Sequence, residues 1–172
     1  MKRTEEVYRE MLYQAEKGNN ILTQKAISDK LDISLSGINN ALAPMRRMNA
    51  VSIRKMCFHI INQKKMLYYW ASIRNLKKDI IYSTRYEKGV IEIEKSMPDT
   101  IIFTAYSGYR LKYKEAPADY SEVYVYSDDI NEIKKRFPVS KNTPNIFVLK
   151  KDKNMDKYGK LATNANIFVD LW

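Results

Sequence analysis

Apolar residues recur at helical spacing through the first part of the chain. The pattern predicts helices over residues 4–17, 24–31 and 34–48. Thr23 and Ser34 begin the second and third helical segments, and both residue types favour the N-cap position because their side-chain oxygen accepts a backbone hydrogen bond. Two short helices joined by a brief turn form a helix-turn-helix. The expected inward face of the third helix consists of Ile38, Ala41, Leu42 and Met45.

β-branched and aromatic residues dominate from Val51 onwards, first in VSIRKMCFHII and then in MLYYWA. The two runs flank the polar stretch 62–65, which predicts a β-hairpin with its tip at these residues. Lys64 and Lys65 would then lie at the tip.

Pro44 lies inside the third predicted helix and has no backbone N–H to donate, so we expect it to kink the helix or to end its first half.

The second half of the chain alternates between segments typical of helices and segments typical of strands. The expected elements are a helix over 72–81, a short strand or buried segment over 90–93, a helix or a strand followed by a helix over 100–114, a strand over 122–129, a helix over 130–138 and strands over 145–152 and 164–172. This order indicates a small α/β domain with a mixed sheet. The fold class predicted for the whole chain is α+β.

Positive charge is concentrated in the first half. The 172 residues carry a formal charge of +10 at pH 7. Residues 1–82 contain 15 Lys and Arg against 7 Asp and Glu, whereas residues 83–172 contain 15 against 13. Between Asp32 and Asp79 there is no acidic residue, and nine basic residues fall in that interval. Such a distribution favours binding to a polyanion, and its alternative is a solvated basic face without a partner.

Residues 23–51, TQKAISDKLDISLSGINNALAPMRRMNAV, resemble the winged helix-turn-helix of many prokaryotic regulators. In that family a Leu ends the first helix of the pair, a Ser opens the recognition helix, and a loop leads into the first strand of the wing. The resemblance implies that residues 1–71 form a DNA-binding domain with 34–48 as its recognition helix. Residues 72–172 would then be a regulatory or partner-binding α/β domain. The residues that carry the resemblance are Leu31, Ser34, Ile38, Leu42, Met45 and Val51.

Polar residues on the outward face of the predicted recognition helix are candidates for contacts with base edges. Asn can form a bidentate pair with adenine, and Ser can bond to several bases, so the candidates are Ser36, Asn39 and Asn40. Their alternative is an ordinary solvated polar face.

A phosphate contact needs a hydrogen-bond donor or a positive charge on a side chain that is long enough to meet the DNA backbone. The candidates are Ser34, Arg46, Arg47, Arg54, Lys55, Lys64 and Lys65.

Three stretches of the second half resemble the C-terminal part of the AbiEi-type family: FTAYSGYRLKYKE at 103–115, EVYVYSDD at 122–129 and ATNANIFVDLW at 162–172. Members of that family are winged-helix proteins described as the antitoxin of a type IV toxin–antitoxin pair. The resemblance implies repression of the protein's own operon and a cognate toxin, similar to a nucleotidyltransferase, as a protein partner. It also implies a terminal strand that ends in Asp170-Leu171.

Few residues are arranged for enzymatic chemistry. Cys57 and His59 lack the second pair of ligands that a structural zinc site needs, and the five Gly are not clustered as in a phosphate-binding loop. A metal-dependent nuclease needs acidic residues on neighbouring strands, but Asp128-Asp129 precede a predicted helix that contains Glu132 and Lys134. We therefore expect no enzymatic activity, no catalytic residue, no metal and no cofactor.

The leading hypothesis is a cytoplasmic, sequence-specific regulator that binds double-stranded DNA and represses transcription. No apolar run approaches the roughly 18–20 residues needed to span a bilayer, and the N-terminus lacks the apolar region of a secretory signal. A homodimer is expected because such proteins often recognise two half-sites, although no coiled-coil heptad supports it. The alternatives are an antitoxin that regulates its own operon and a metal-dependent nuclease targeted to DNA.

Overall fold

A computed structural model describes residues 1–116 and 118–172 of the chain. The chain divides into two compact units, Met1–Arg74 and Asn75–Trp172. Each unit combines helices with a small sheet, so the fold is of the α+β class. The domain boundary expected after residue 71 falls inside a helix that ends at Ile73.

The first unit combines helices that pack on one another with a small antiparallel sheet. Its elements in chain order are α1 (Arg3–Glu16), β1 (Ile21–Leu22), α2 (Gln24–Leu31), α3 (Leu35–Arg47), β2 (Val51–Ile53), β3 (Phe58–Ile60) and α4 (Gln63–Ile73). The strands have the order β1-β3-β2. Residues 32–34 connect α2 to α3.

Side-chain caps and an apolar stripe explain why α2 and α3 form at these positions. Thr23 Oγ1 accepts a hydrogen bond from the Ala26 N–H at 3.0 Å, and Ser34 Oγ accepts one from the Gly37 N–H at 3.2 Å. Pro44 does not end α3, because the helix continues to Arg47. The predicted inward face of α3 is confirmed, since its four residues are all buried: Ile38, Ala41, Leu42 and Met45.

The hairpin formed by β2 and β3 has its tip at a different place from the predicted one. The Arg54 N–H donates to the Cys57 carbonyl oxygen at 2.8 Å and closes the turn. The tip therefore consists of residues 54–57, and the prediction of a tip at 62–65 is wrong.

α4 replaces the second strand that MLYYWA predicted. Asn62 caps this helix, because its side-chain oxygen accepts a hydrogen bond from the Lys65 N–H at 2.9 Å. Met66 and Trp70 lie one helical turn apart and are fully buried. The Trp70 indole N–H donates to Glu5 Oε2 of α1 at 3.1 Å. Packing of this face against α1 overrides the strand propensity of the aromatic residues.

The second unit places helices on both faces of a mixed sheet. Its described elements are a 3₁₀ turn (Leu76–Asp79), β4 (Ile80–Thr84), α5 (Val90–Ser96), β5 (Ile102–Thr104), α6 (Ala105–Tyr113), β6 (Val123–Ser127), α7 (Ile130–Arg136), β7 (Ile146–Lys150), a second 3₁₀ turn (Met155–Tyr158) and α8 (Asn164–Leu171). The strands have the order β4-β7-β6-β5. β6 and β7 are parallel and the other pairs are antiparallel, so the predicted mixed sheet is confirmed.

Some segments of the second unit differ from prediction. Residues 72–81 do not form a single helix, because α4 ends at Ile73 and β4 begins at Ile80. For residues 100–114 the strand-then-helix alternative is the one observed. Residues 90–93 lie in α5 rather than in a strand.

The C-terminal segment is a helix and not the terminal strand that both the apolar pattern and the family resemblance implied. Thr163 Oγ1 accepts a hydrogen bond from the Asn166 N–H at 3.2 Å and so caps α8. Asp170, one turn further along, accepts a hydrogen bond from Asn166 Nδ2 at 3.0 Å. A local cap and an i,i+4 side-chain pair stabilise the helix.

A buried carboxylate ties α8 to the sheet. Asp170 Oδ2 also accepts hydrogen bonds from Thr104 Oγ1 of β5 and from the Tyr126 hydroxyl of β6, both at 2.7 Å. Thr104 and Tyr126 are fully buried. The opposite face of the sheet packs with α5 and α7 into an apolar core that includes Ile93, Val123, Val125, Ile133, Phe137, Ile146 and Val148.

Candidate nucleic-acid interface

The exposed face of α3 carries the predicted base-contacting residues. Ser36, Asn39 and Asn40 are exposed, whereas Ile38 and Ala41 are buried. Because an α-helix has about 3.6 residues per turn, positions i, i+3 and i+4 share a face. The fold thus brings the three polar side chains together on the side of α3 that faces away from the core.

The turn between α2 and α3 fixes the direction in which α3 leaves α2. Asp32 adopts a left-handed conformation with φ of 53°. The Ser28 hydroxyl donates to the Ile33 carbonyl oxygen at 2.7 Å. A Cβ atom at Gly37 would lie 2.8 Å from Ile33 Cγ2, so a larger residue there would force the Ile33 side chain to shift. These contacts position the exposed face of α3.

Ser34 is exposed at the start of α3, but its hydroxyl is already engaged. The oxygen accepts the Gly37 N–H, and it also lies 3.0 Å from Ser36 Oγ in a shared hydrogen bond. Ser34 therefore acts as the helix cap. A phosphate contact by this hydroxyl stays a prediction.

Positive side chains gather at the C-terminal end of α3. Arg46 and Arg47 occupy its last turn and are exposed. The Lys65 ammonium donates to the carbonyl oxygen of Met48, the C-cap residue of α3, at 3.0 Å. The first turn of α4, which contains Lys64 and Lys65, therefore lies beside the end of α3. Lys64 is exposed as well.

The hairpin tip carries the remaining predicted phosphate contacts. Arg54 and Lys55 are exposed there, next to Met56 with 81% of its surface exposed. The expectation that Lys64 and Lys65 also lie on the hairpin is wrong, because Asn62 starts a helix at that point. The six predicted Lys and Arg contacts thus occupy the end of α3, the hairpin tip and the first turn of α4.

The three other basic residues of the acid-free interval are Arg74, Lys77 and Lys78. Arg74 Nη1 lies 3.4 Å from Glu5 Oε2, and the Arg74 side chain is only 3% exposed. This guanidinium therefore stabilises the packing of α4 on α1. Lys77 and Lys78 belong to the second unit.

The acidic residues considered for a nuclease have structural partners. Asp129 Oδ1 accepts the Glu132 N–H at 3.1 Å and caps α7. Asp128 Oδ2 lies 3.2 Å from Lys151 Nζ, and Glu132 Oε1 lies 2.8 Å from Arg136 Nη2. Among residues 1–116 and 118–172, no group of three or more His, Cys, Asp and Glu side chains is arranged to hold a metal ion.

The second unit contains a polar cluster that the sequence did not predict. Glu94 accepts hydrogen bonds from Arg110 Nη2 and from the Tyr120 hydroxyl, and Arg110 Nε donates to the Tyr120 oxygen at 2.9 Å. The hydrogen bond to Glu94 raises the pKa of Arg110, and burial raises the pKa of Tyr120. The Tyr106 ring stacks on the Tyr120 ring with centroids 5.3 Å apart. Glu94 lies 16 and 26 positions from its partners, so no local spacing signals the cluster.

α1 has 14 residues, fewer than the roughly 18–20 needed to span a bilayer, and it includes buried charged residues. Within the described part of the chain, no helix has both the length and the apolar character that crossing a bilayer requires.

Comparison of the chain with models of protein families, with curated proteins and with solved structures gave no match.

Proposed function

We propose that the first unit is a winged helix-turn-helix module and that the protein is a sequence-specific, DNA-binding transcriptional regulator. In this assignment α2 and α3 are the helix pair, α3 is the recognition helix, and the β2–β3 hairpin is the wing. The element order α1-β1-α2-α3-β2-β3 supports it, as does the pairing of β1 with β3. The three-residue connection between α2 and α3 has the length expected of a helix-turn-helix.

The observation that carries the proposal is the distribution of polar and charged groups on α3 and beside it. α3 exposes amide and hydroxyl side chains along one face and ends in Arg46-Arg47. Further cations follow at the hairpin tip and in the first turn of α4, with no acidic residue between Asp32 and Asp79. Base edges are recognised by hydrogen-bonding side chains, and phosphates attract positive charge. Consecutive segments of this unit supply both the hydrogen-bonding side chains and the positive charge.

The dimensions of a helix fit the proposed position of α3. The major groove of B-DNA is about 12 Å wide and admits an α-helix, whose diameter with side chains is about 10–12 Å. Recognition helices contact base edges with their N-terminal residues. Ser36, Asn39 and Asn40 lie in the first two turns of α3 and are suited to that role.

The combined substitution Asn39→Ala and Asn40→Ala tests this function. A bidentate amide–adenine pair discriminates between bases by about 1–3 kcal/mol, so the variant should lose about 10-fold or more in affinity for a preferred site. Affinity for random duplex should change little, because the phosphate contacts remain. The measurement is fluorescence anisotropy with a duplex selected by the wild-type protein from a random pool and with a scrambled duplex.

Asn131→Ala provides the matched control, since Asn131 is an exposed amide on α7 of the second unit. This control should retain full preference for the selected duplex. Equal preference in the double variant and the wild type would show that the two amides do not contact bases.

A further inference from the structure

We propose that α3 recognises A·T base pairs and that Leu35 contacts the methyl group of thymine, an inference that rests on the DNA-binding function proposed above. Leu35 is the first residue of α3 and is 50% exposed, whereas Leu42 in the same helix is 1% exposed. An apolar side chain at this position contributes little to the core. It lies beside Ser34 and Ser36, at the end of the helix that enters the groove first.

The composition of α3 restricts which bases its exposed face can recognise. Residues 35–45 contain no charged side chain, and the two arginines follow only in the last turn. Guanine is most often contacted by Arg or Lys, and cytosine by Glu or Asp. The side chains present instead are the Asn amides, which match the N6 and N7 atoms of adenine, and Leu35, which matches the C5 methyl of thymine.

Helix geometry lets these contacts occur together. Leu35 and Asn39 are four residues apart, so their Cβ atoms lie about 5–6 Å from each other on one face of the helix. Successive base pairs rise by about 3.4 Å. The two side chains can therefore reach an adenine and a thymine in the same or adjacent base pairs. Asn39 and Leu35 together therefore match one or two adjacent base pairs that include A·T.

Replacement of thymine by uracil in the selected duplex tests the methyl contact, because it removes the C5 methyl group and leaves the base-pairing hydrogen bonds unchanged. The wild-type protein should bind the uracil duplex about four-fold more weakly, the effect of one buried methyl group. Leu35→Ala should bind the thymine duplex with a similar loss. It should then bind the thymine and uracil duplexes equally well.

Val139→Ala is the matched control, since Val139 is 75% exposed in the second unit. This variant should keep the full preference for thymine over uracil. Selected sites without A·T pairs, equal binding of both duplexes by the wild type, or an unchanged preference in Leu35→Ala would each overturn the inference. In all three cases salt-sensitive duplex binding would persist, whereas its loss in the wild type would overturn the DNA-binding function as well.

Discussion

The double substitution Arg46→Glu and Arg47→Glu should weaken binding of duplex DNA by about 100-fold or more at low salt. Both side chains are exposed in the last turn of α3, so their replacement leaves the apolar core intact. If the proposed function holds, the change removes two of the predicted phosphate contacts and places two negative charges against the DNA backbone. Contact with six phosphates predicts a slope of log affinity against log salt of about −5 for the wild type, and four contacts predict about −4 or shallower.

The measurement is anisotropy over a salt titration, with far-UV circular dichroism to verify folding. Lys135→Glu combined with Lys141→Glu is the control, because both lysines are exposed in the second unit and the change in net charge is the same. This control should lose far less affinity. Similar losses in both variants would mean that net charge alone governs binding and that the end of α3 has no particular role.

The helix pair α2–α3 was predictable because its determinants are local. Thr23 and Ser34 each cap a helix through a hydrogen bond to an N–H three residues further on. The apolar stripe of α3 repeats at helical spacing and is wholly buried. The same periodicity separated the exposed Asn39 and Asn40 from the core, so the candidate base contacts follow from the sequence alone.

α4 and α8 were predicted as strands because their aromatic and β-branched residues favour strands, and tertiary contacts decide otherwise. Trp70 of α4 packs against α1 and donates to Glu5, which lies 65 positions earlier. Tyr126 and Thr104 bond to Asp170 of α8 over 44 and 66 positions. The strand propensity of a segment depends on its own residues and therefore carries no information about partners so distant in the sequence.

The error at α4 also changes the candidate interface. With the hairpin tip at 54–57, Lys64 and Lys65 move from the wing to the start of a helix beside α3. Lys65 is then fixed by its bond to the Met48 carbonyl oxygen at 3.0 Å. All six Lys and Arg side chains are still expected to contact phosphates, since such a contact depends on positive charge and on the length of the side chain. Only the fold shows that Lys65 lies beside the end of α3, whereas Arg54 lies at the hairpin tip.

Asp170→Ala should destabilise the second unit by about 4 kcal/mol. Asp170 Oδ2 accepts hydrogen bonds from Thr104, Tyr126 and Asn166, and all three donor residues are fully buried. The substitution leaves the two hydroxyls without this acceptor and releases the C-terminal half of α8 from β5 and β6. Asn166 retains a hydrogen bond to the Tyr126 oxygen at 3.2 Å, which reduces the loss.

Urea denaturation followed by circular dichroism measures the effect. Asp156→Ala is the matched control, because Asp156 pairs with Lys151 but its side chain is 66% exposed, and exposed ion pairs contribute only about 0–1 kcal/mol. Asp170→Asn keeps an acceptor oxygen in the same place and should lose less stability than Asp170→Ala. If Asp170→Ala is no less stable than Asp156→Ala, the carboxylate is not what holds α8 on the sheet, and the apolar contacts of Ile167 and Val169 are sufficient.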